Sequence, residues 1–162
     1  MDVFQEAEML RKVPFFGGLD PAKLKLLAFT SRALRFASGE NLMRAGELAD
    51  SAYVILEGEV EILGKTNAGE FVVAVQGCNA LIGEMGVIMN APRTLTVRAK
   101  DAVRALRISD EVFLRLLTEN PDCALHVMRV LSARLALGTR EIESLKGQLQ
   151  KTQAVPGGGT AA

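Results

Sequence analysis

Gly77-Cys78-Asn79-Ala80-Leu81-Ile82-Gly83-Glu84-Met85-Gly86-Val87-Ile88-Met89-Asn90-Ala91-Pro92-Arg93-Thr94-Leu95-Thr96-Val97-Arg98-Ala99 is the stretch whose reading decides the fold. Gly83 and Gly86 flank a carboxylate at Glu84. A short apolar turn follows, then Pro92-Arg93-Thr94, then a strand-like Leu95-Thr96-Val97. A helix starting near Glu84 would aim backbone N–H groups at the residues before it, and amides at a helix start bind anions. Glycine at 83 and 86 lets a ligand approach that backbone closely. Arg93, one short helix later, can return across the turn and pair with a phosphate in a bidentate manner. Thr94 adds a hydroxyl. Glu84 is a poor partner for an anion and suits a neutral donor such as a sugar hydroxyl. One anion, one hydroxyl-bearing ring and apolar walls describe a nucleotide of low charge.

Strand patterns lie on both sides of this stretch. Before it, Leu34 and Phe36 alternate with polar neighbours, and Leu42-Met43 precedes a turn at Ala45-Gly46-Glu47. Tyr53-Val54-Ile55-Leu56 reads as a strand, Glu57-Gly58 as a two-residue hairpin, and Val60, Ile62 and Leu63 as the return. Asn67-Ala68-Gly69 turns the chain into a further strand, Phe71–Val75. After it come Thr94–Ala99 and Ala102–Ile108. Short strands between closely spaced turn signals predict an antiparallel β jelly-roll barrel.

Helices bracket the strands, so the predicted class is α+β, mainly β. Residues 2–12 read as a short amphipathic helix stopped by Pro14. Asp20 and Pro21 fit the N-cap and first position of a second helix with Leu24, Leu27 and Ala28 inward. Ser109 caps a third, with Val112, Phe113, Leu116 and Leu117 on its apolar face. A long helix is expected over residues 121–150. Along it Met128, Leu135, Ile142 and Leu149 recur every seven residues, and Leu131 and Leu145 follow the first and third by three. This is an a/d seam, broken at Gly138, and it predicts a homodimer. The competing reading is a helix packed on its own barrel, which would cover only a short part of such a seam. The expected division is 1–120 for the barrel with its N-terminal helices, 121–150 for a lid and dimerisation helix, and 151–162 for a disordered tail.

Composition narrows the function classes. Lys+Arg and Asp+Glu are 19 each, which argues against general nucleic-acid binding while permitting one local cationic pocket. The two cysteines, Cys78 and Cys123, lack metal-type spacing and fit reduced thiols in a cytoplasmic protein. The acidic first residues do not resemble a signal peptide, and no apolar run reaches the roughly 20 residues of a membrane span. His126 is the single histidine, read as structural, which weighs against a metal cupin. No Ser, His and Asp arrangement supports an enzyme, and no metal or resident cofactor is expected.

Gly83-Glu84-Met85-Gly86-Val87-Ile88 with Pro92-Arg93-Thr94-Leu95-Thr96-Val97-Arg98-Ala99 resembles the phosphate-binding cassette of the cyclic nucleotide-binding domains. These occur in catabolite activator proteins, in regulatory subunits of cyclic-AMP-dependent kinase and in cyclic-nucleotide-gated channels. Val13–Leu19, Phe36 with Gly39-Glu40, Arg44–Glu47 and Tyr53–Val60 are similar to the family's earlier elements. The resemblance implies that Glu84 accepts from a ribose 2′-hydroxyl and that Arg93 pairs with the cyclic phosphate. It implies that backbone amides near Gly83, Met85, Gly86 and Thr94 complete the anion site, and that the strand Phe71–Val75 offers apolar contacts to the purine. A hydroxyl at Thr94 can touch the 2-amino group of a syn guanine, which leaves cyclic AMP and cyclic GMP both open as ligand. The chain departs from the family at Gly77-Cys78-Asn79 and Ile82, where Gly-Asp and an aromatic are usual.

The output is harder to read. About a dozen residues follow Gln150, so no helix-turn-helix and no direct DNA binding are expected. No second copy, kinase-inhibitory segment or membrane span is visible. The expectation is a sensor, standing alone or as a piece of something larger, that passes ligand binding through its C-terminal helix to an unknown downstream protein. The alternative is a protein-interaction module that keeps the fold and binds no nucleotide.

Overall fold

The computed structural model describes residues 1–154, which divide into a compact unit, Met1–Ala124, and a second unit starting at Leu125. The first unit begins with helix α1 (Val3–Arg11). Asp2 caps it reciprocally: its carboxylate accepts from Gln5 N at 2.9 Å, and Gln5 Oε1 accepts from Asp2 N at 3.0 Å. A single 3-10 turn, Pro14–Phe16, buries Phe15 and Phe16. Helix α2 (Pro21–Thr30) starts where Asp20 accepts from Lys23 N at 2.9 Å, and it buries Leu24, Leu27 and Ala28.

Eight strands follow, β1 (Arg32–Phe36), β2 (Asn41–Met43), β3 (Ser51–Glu57), β4 (Val60–Thr66), β5 (Gly69–Gln76), β6 (Leu81–Ile82), β7 (Thr96–Ala99) and β8 (Val103–Ser109). Helix α3 (Glu84–Met89) lies between β6 and β7, and α4 (Asp110–Glu119) follows β8. Ser109 caps α4, accepting from Val112 N at 3.3 Å.

The strands form two antiparallel sheets, ordered β1-β8-β3-β6 and β2-β7-β4-β5. Their inner faces enclose one core that includes Leu42, Met43, Tyr53, Ile55, Val60, Ile82, Val97 and Ala105. Strand β3 is buried from Ser51 to Leu56 because its other face meets α3 and α4. That is why it reads as a continuous apolar run instead of alternating. The arrangement is the expected antiparallel jelly roll, with the two sheets facing each other and not closed into a barrel.

Three boundaries differ from expectation. Glu57-Gly58 is not a hairpin: β3 and β4 belong to different sheets, and the turn carries the chain from one to the other. Gly58 has φ 84°, and a Cβ there would meet the Ala102 carbonyl. Glu59 N is held by Asp101 Oδ1 at 2.8 Å. The local signal records a required glycine, and a crossover needs one as much as a hairpin does. The strand expected from Thr94 starts at Thr96. The Arg93 backbone is taken by a different partner, donating to Glu47 O at 2.8 Å and accepting from Gly46 N at 2.7 Å. The last helix, α5 (Pro121–Ala154), runs past Gln150, since no glycine or proline occurs between Gln150 and Pro156.

Four residues of α5 belong to the first unit, where Cys123 is buried and its Sγ donates to Phe15 O at 3.2 Å. In the second unit the seam residues Leu135, Ile142, Leu145 and Leu149 are 54–73% exposed. Val155–Ala162, read as a disordered tail, lie outside the described residues.

Candidate functional site

Gly83 ends β6 in the left-handed region, φ 83°, and is the N-cap of α3. Only glycine fits there. A Cβ would stand 2.6 Å from Arg93 Nη1 and 2.7 Å from Met43 Cε. Gly86 is also closely approached, since a Cβ would come 2.7 Å from that of Ala49 and 3.7 Å from Arg93 Nη1. Asn90 closes α3 in the left-handed conformation, and Ala91 N returns to Gly86 O at 3.1 Å. The chain thus folds back within ten residues and sets Arg93 against the start of α3.

Arg93 is 6% exposed. Its Nη1 donates to Gly83 O at 2.8 Å, and its Nη2 to Ser51 O, with Ser51 Oγ at 3.4 Å. Asp50 Oδ1 lies 3.9 Å from Nη2. Burial pulls the Arg93 guanidinium below the usual arginine range, opposed by the negative charge of Asp50. It remains a cation, because an arginine does not lose its proton in a protein. Glu84 is buried as well, at 3% exposure, in the first turn of α3. A buried carboxylate and a buried guanidinium at one glycine-lined turn are costly to maintain, which makes the turn a functional-site candidate.

The predicted residues gather in this one corner, in three different environments. Glu84 and Arg93 form its buried inner side, and Gly83 and Gly86 are half-buried. Met85 is 53% exposed, and Thr94 is exposed at the bend before β7. Phe71–Val75, expected to contribute apolar contacts, lie on edge strand β5 with Phe71, Val72, Val73 and Val75 each 42–52% exposed. The unusual Gly77-Cys78-Asn79 loop is tied to β3, with Asn79 N donating to Ile55 O at 2.9 Å and Cys78 Sγ to Leu56 O at 3.3 Å. Both cysteines are free thiols.

The reading of the sequence missed Ser51, Asp50 and Arg107. Arg107 Nη2 holds Asp50 Oδ2 at 3.1 Å. A signal existed: Arg107 continues the inward positions Val103 and Ala105 of β8, so it is a charge at a core-facing place in a strand pattern. Among the described residues no cluster of His, Cys, Asp and Glu could hold a metal ion, and no helix is long and apolar enough to cross a membrane.

The cyclic nucleotide-binding domain matches over residues 33–120. A CRP-like cAMP-activated global transcriptional regulator of Mycobacterium tuberculosis is 26% identical over 129 residues, 79% of this chain and 58% of that protein. The cAMP-dependent protein kinase regulatory subunit of Mycosarcoma maydis is 30% identical over 68% of this chain and 22% of its own length. Among solved structures, the sensor domain of the transcriptional regulator DNR from Pseudomonas aeruginosa aligns with a TM-score of 0.77 at 28% identity, covering 88% of this chain and 97% of that one. This chain therefore spans only part of these two relatives, and both are regulators by name. The match over more than half of its residues, with the site on the expected turn, makes this chain a member of the cyclic nucleotide-binding domain family.

Proposed function

We propose that this chain is a cyclic nucleotide sensor whose ligand, cyclic AMP or cyclic GMP, sits with its phosphate at Arg93 and its ribose 2′-hydroxyl on Glu84. The observation that carries this reading is the burial of Glu84 and Arg93 at the Gly83–Gly86 turn, with Arg93 Nη1 close to both glycines. Arg93 supplies a planar fork for the singly charged phosphodiester, and Gly83 and Gly86 keep Cβ atoms out of its way. Glu84 discriminates against ligands lacking the free hydroxyl. A hydrogen bond from that hydroxyl to a carboxylate contributes about 1.5–3 kcal/mol.

The output runs through helix α5. Its exposed apolar seam suits a second copy of this chain, and ligand binding changes that association or presents the helix to a downstream partner. Ligand shifts the equilibrium only as far as it prefers one arrangement, and near-complete switching needs about 5.5 kcal/mol of preference. The function is regulatory binding, without turnover of the nucleotide, in the cytoplasm.

Calorimetry with cyclic AMP and cyclic GMP tests the site. Arg93→Ala is an ambiguous variant, because it also strips donors from the Ser51 and Gly83 carbonyls and costs stability. Arg93→Lys keeps the charge and removes the fork, and is expected to weaken binding about tenfold. Unchanged affinity would reject the assignment.

One observation favours a second reading, a protein-interaction module without nucleotide. Both terminal nitrogens of Arg93 already donate to protein carbonyls, so the arginine also serves as a structural tie. A thermal-shift screen separates the two readings: millimolar cyclic AMP and cyclic GMP both failing to raise the melting temperature would select the second.

A further inference from the structure

We propose that Arg107 is a positioning residue of this site: by holding the Asp50 carboxylate it keeps the Arg93 guanidinium available to a phosphate. The proposal rests on the cyclic nucleotide reading above. Asp50 stands between two guanidinium groups. Its Oδ2 is 3.1 Å from Arg107 Nη2, and its Oδ1 is 3.9 Å from Arg93 Nη2. Oδ1 also accepts the Ser51 hydroxyl at 2.9 Å, and Ser51 in turn receives Arg93 through both its carbonyl and its Oγ. One carboxylate is shared, with the short contact on the Arg107 side.

The cross-strand neighbours of Arg107 offer it no anion. On β8 it stands opposite Tyr53 of β3 and Arg32 of β1. Tyr53 belongs to the core cluster. Arg32 is a like charge directly across the strands, a destabilising pair. Asp50 answers both needs, balancing Arg107 and occupying the space beside Arg93.

The consequence for binding is competitive. A phosphate and the Asp50 carboxylate want the same cation. With Arg107 present, part of the Asp50 charge is neutralised away from Arg93. Without it, the whole charge faces Arg93 and repels the incoming phosphate. The Asp50 side chain is 64% exposed and that of Arg107 30%, so solvent screens the effect, and the expected loss is about three- to fivefold in affinity.

Calorimetry of the whole chain with cyclic AMP and cyclic GMP tests this on the wild type, Arg107→Ala, Arg107→Lys, Asp50→Asn and the Asp50→Asn/Arg107→Ala double variant. Arg107→Ala should weaken binding about three- to fivefold, Arg107→Lys should recover most of it, and Asp50→Asn should tighten binding. In the Asp50→Asn background the Arg107→Ala loss should largely vanish. An equal loss in both backgrounds overturns the proposal, because Arg107 would then touch the ligand or merely support the fold. Should Arg107→Ala not fold, Asp50→Asn decides alone: weaker or unchanged binding overturns it. A wild type that binds neither nucleotide overturns the cyclic nucleotide reading and this proposal with it. Binding without coupling between Asp50 and Arg107 overturns this proposal only.

Discussion

Arg93 is 6% exposed and Leu135 is 73% exposed, yet each is the central residue of a functional signal. Around Arg93 the partners are fixed: Gly83 O, Ser51 O and Asp50 meet the guanidinium, and the backbone is clamped to Gly46 and Glu47. Around Leu135 the apolar stripe of one helix is exposed. The corner is specified from within the chain, through contacts between residues some forty positions apart. The seam is specified by a period alone. A site that must present fixed charge is built from rigid, non-interchangeable parts. A surface that transmits a signal needs only a pattern and the freedom to change partner.

The largest effect expected from this contrast is at Gly83. Gly83→Val combines a left-handed φ with a Cβ driven into Arg93 Nη1 and Met43 Cε. It should cost about 3 kcal/mol or more of unfolding free energy in urea titrations, with loss of nucleotide binding. A tolerated Gly83→Val would mean that the corner is as plastic as the seam. Next comes Leu135→Asp on α5. It should weaken self-association by about 2 kcal/mol per protomer, read by light scattering or sedimentation. The urea midpoint of the Met1–Ala124 unit should hardly move. If that midpoint falls by a similar amount, the seam is part of the fold and the contrast is lost.

The two regions were unequally legible for the same physical reason. Period-seven spacing on α5 is a local property, visible at Met128, Leu135, Ile142 and Leu149 without knowing the fold. Asp20, Ser109 and the inward residues of α2 and α4 were equally local. Within the corner, Gly83, Glu84 and Arg93 could be named because they form a short motif of unusual types. Their surroundings could not. Ser51 and Asp50 meet Arg93, and Arg107 meets Asp50, only because β3 and β8 pair in a particular register and loop 44–50 bonds the Arg93 backbone. Such proximity follows from topology, and no window along the chain contains it. Gly58 shows the same limit: its positive φ was readable, and whether the turn joined partners or crossed between sheets was not.

The smallest expected effect concerns Thr94, which sits where the corner opens to solvent. Its side chain is exposed at the bend before β7, outside the packing that fixes Arg93 one residue earlier. Thr94→Ala should therefore leave the urea midpoint within about 0.5 kcal/mol of the wild type. Its influence should fall on the base, where a threonine hydroxyl can accept from the 2-amino group of a syn guanine and finds no such donor on adenine. One neutral hydrogen bond contributes about 1 kcal/mol, so cyclic GMP should lose roughly fivefold in calorimetric affinity while cyclic AMP stays within twofold. Equal losses for both nucleotides would place Thr94 with the phosphate contacts instead. No loss for either would make the base choice a property of residues outside the turn, with the exposed strand β5 the first place to substitute.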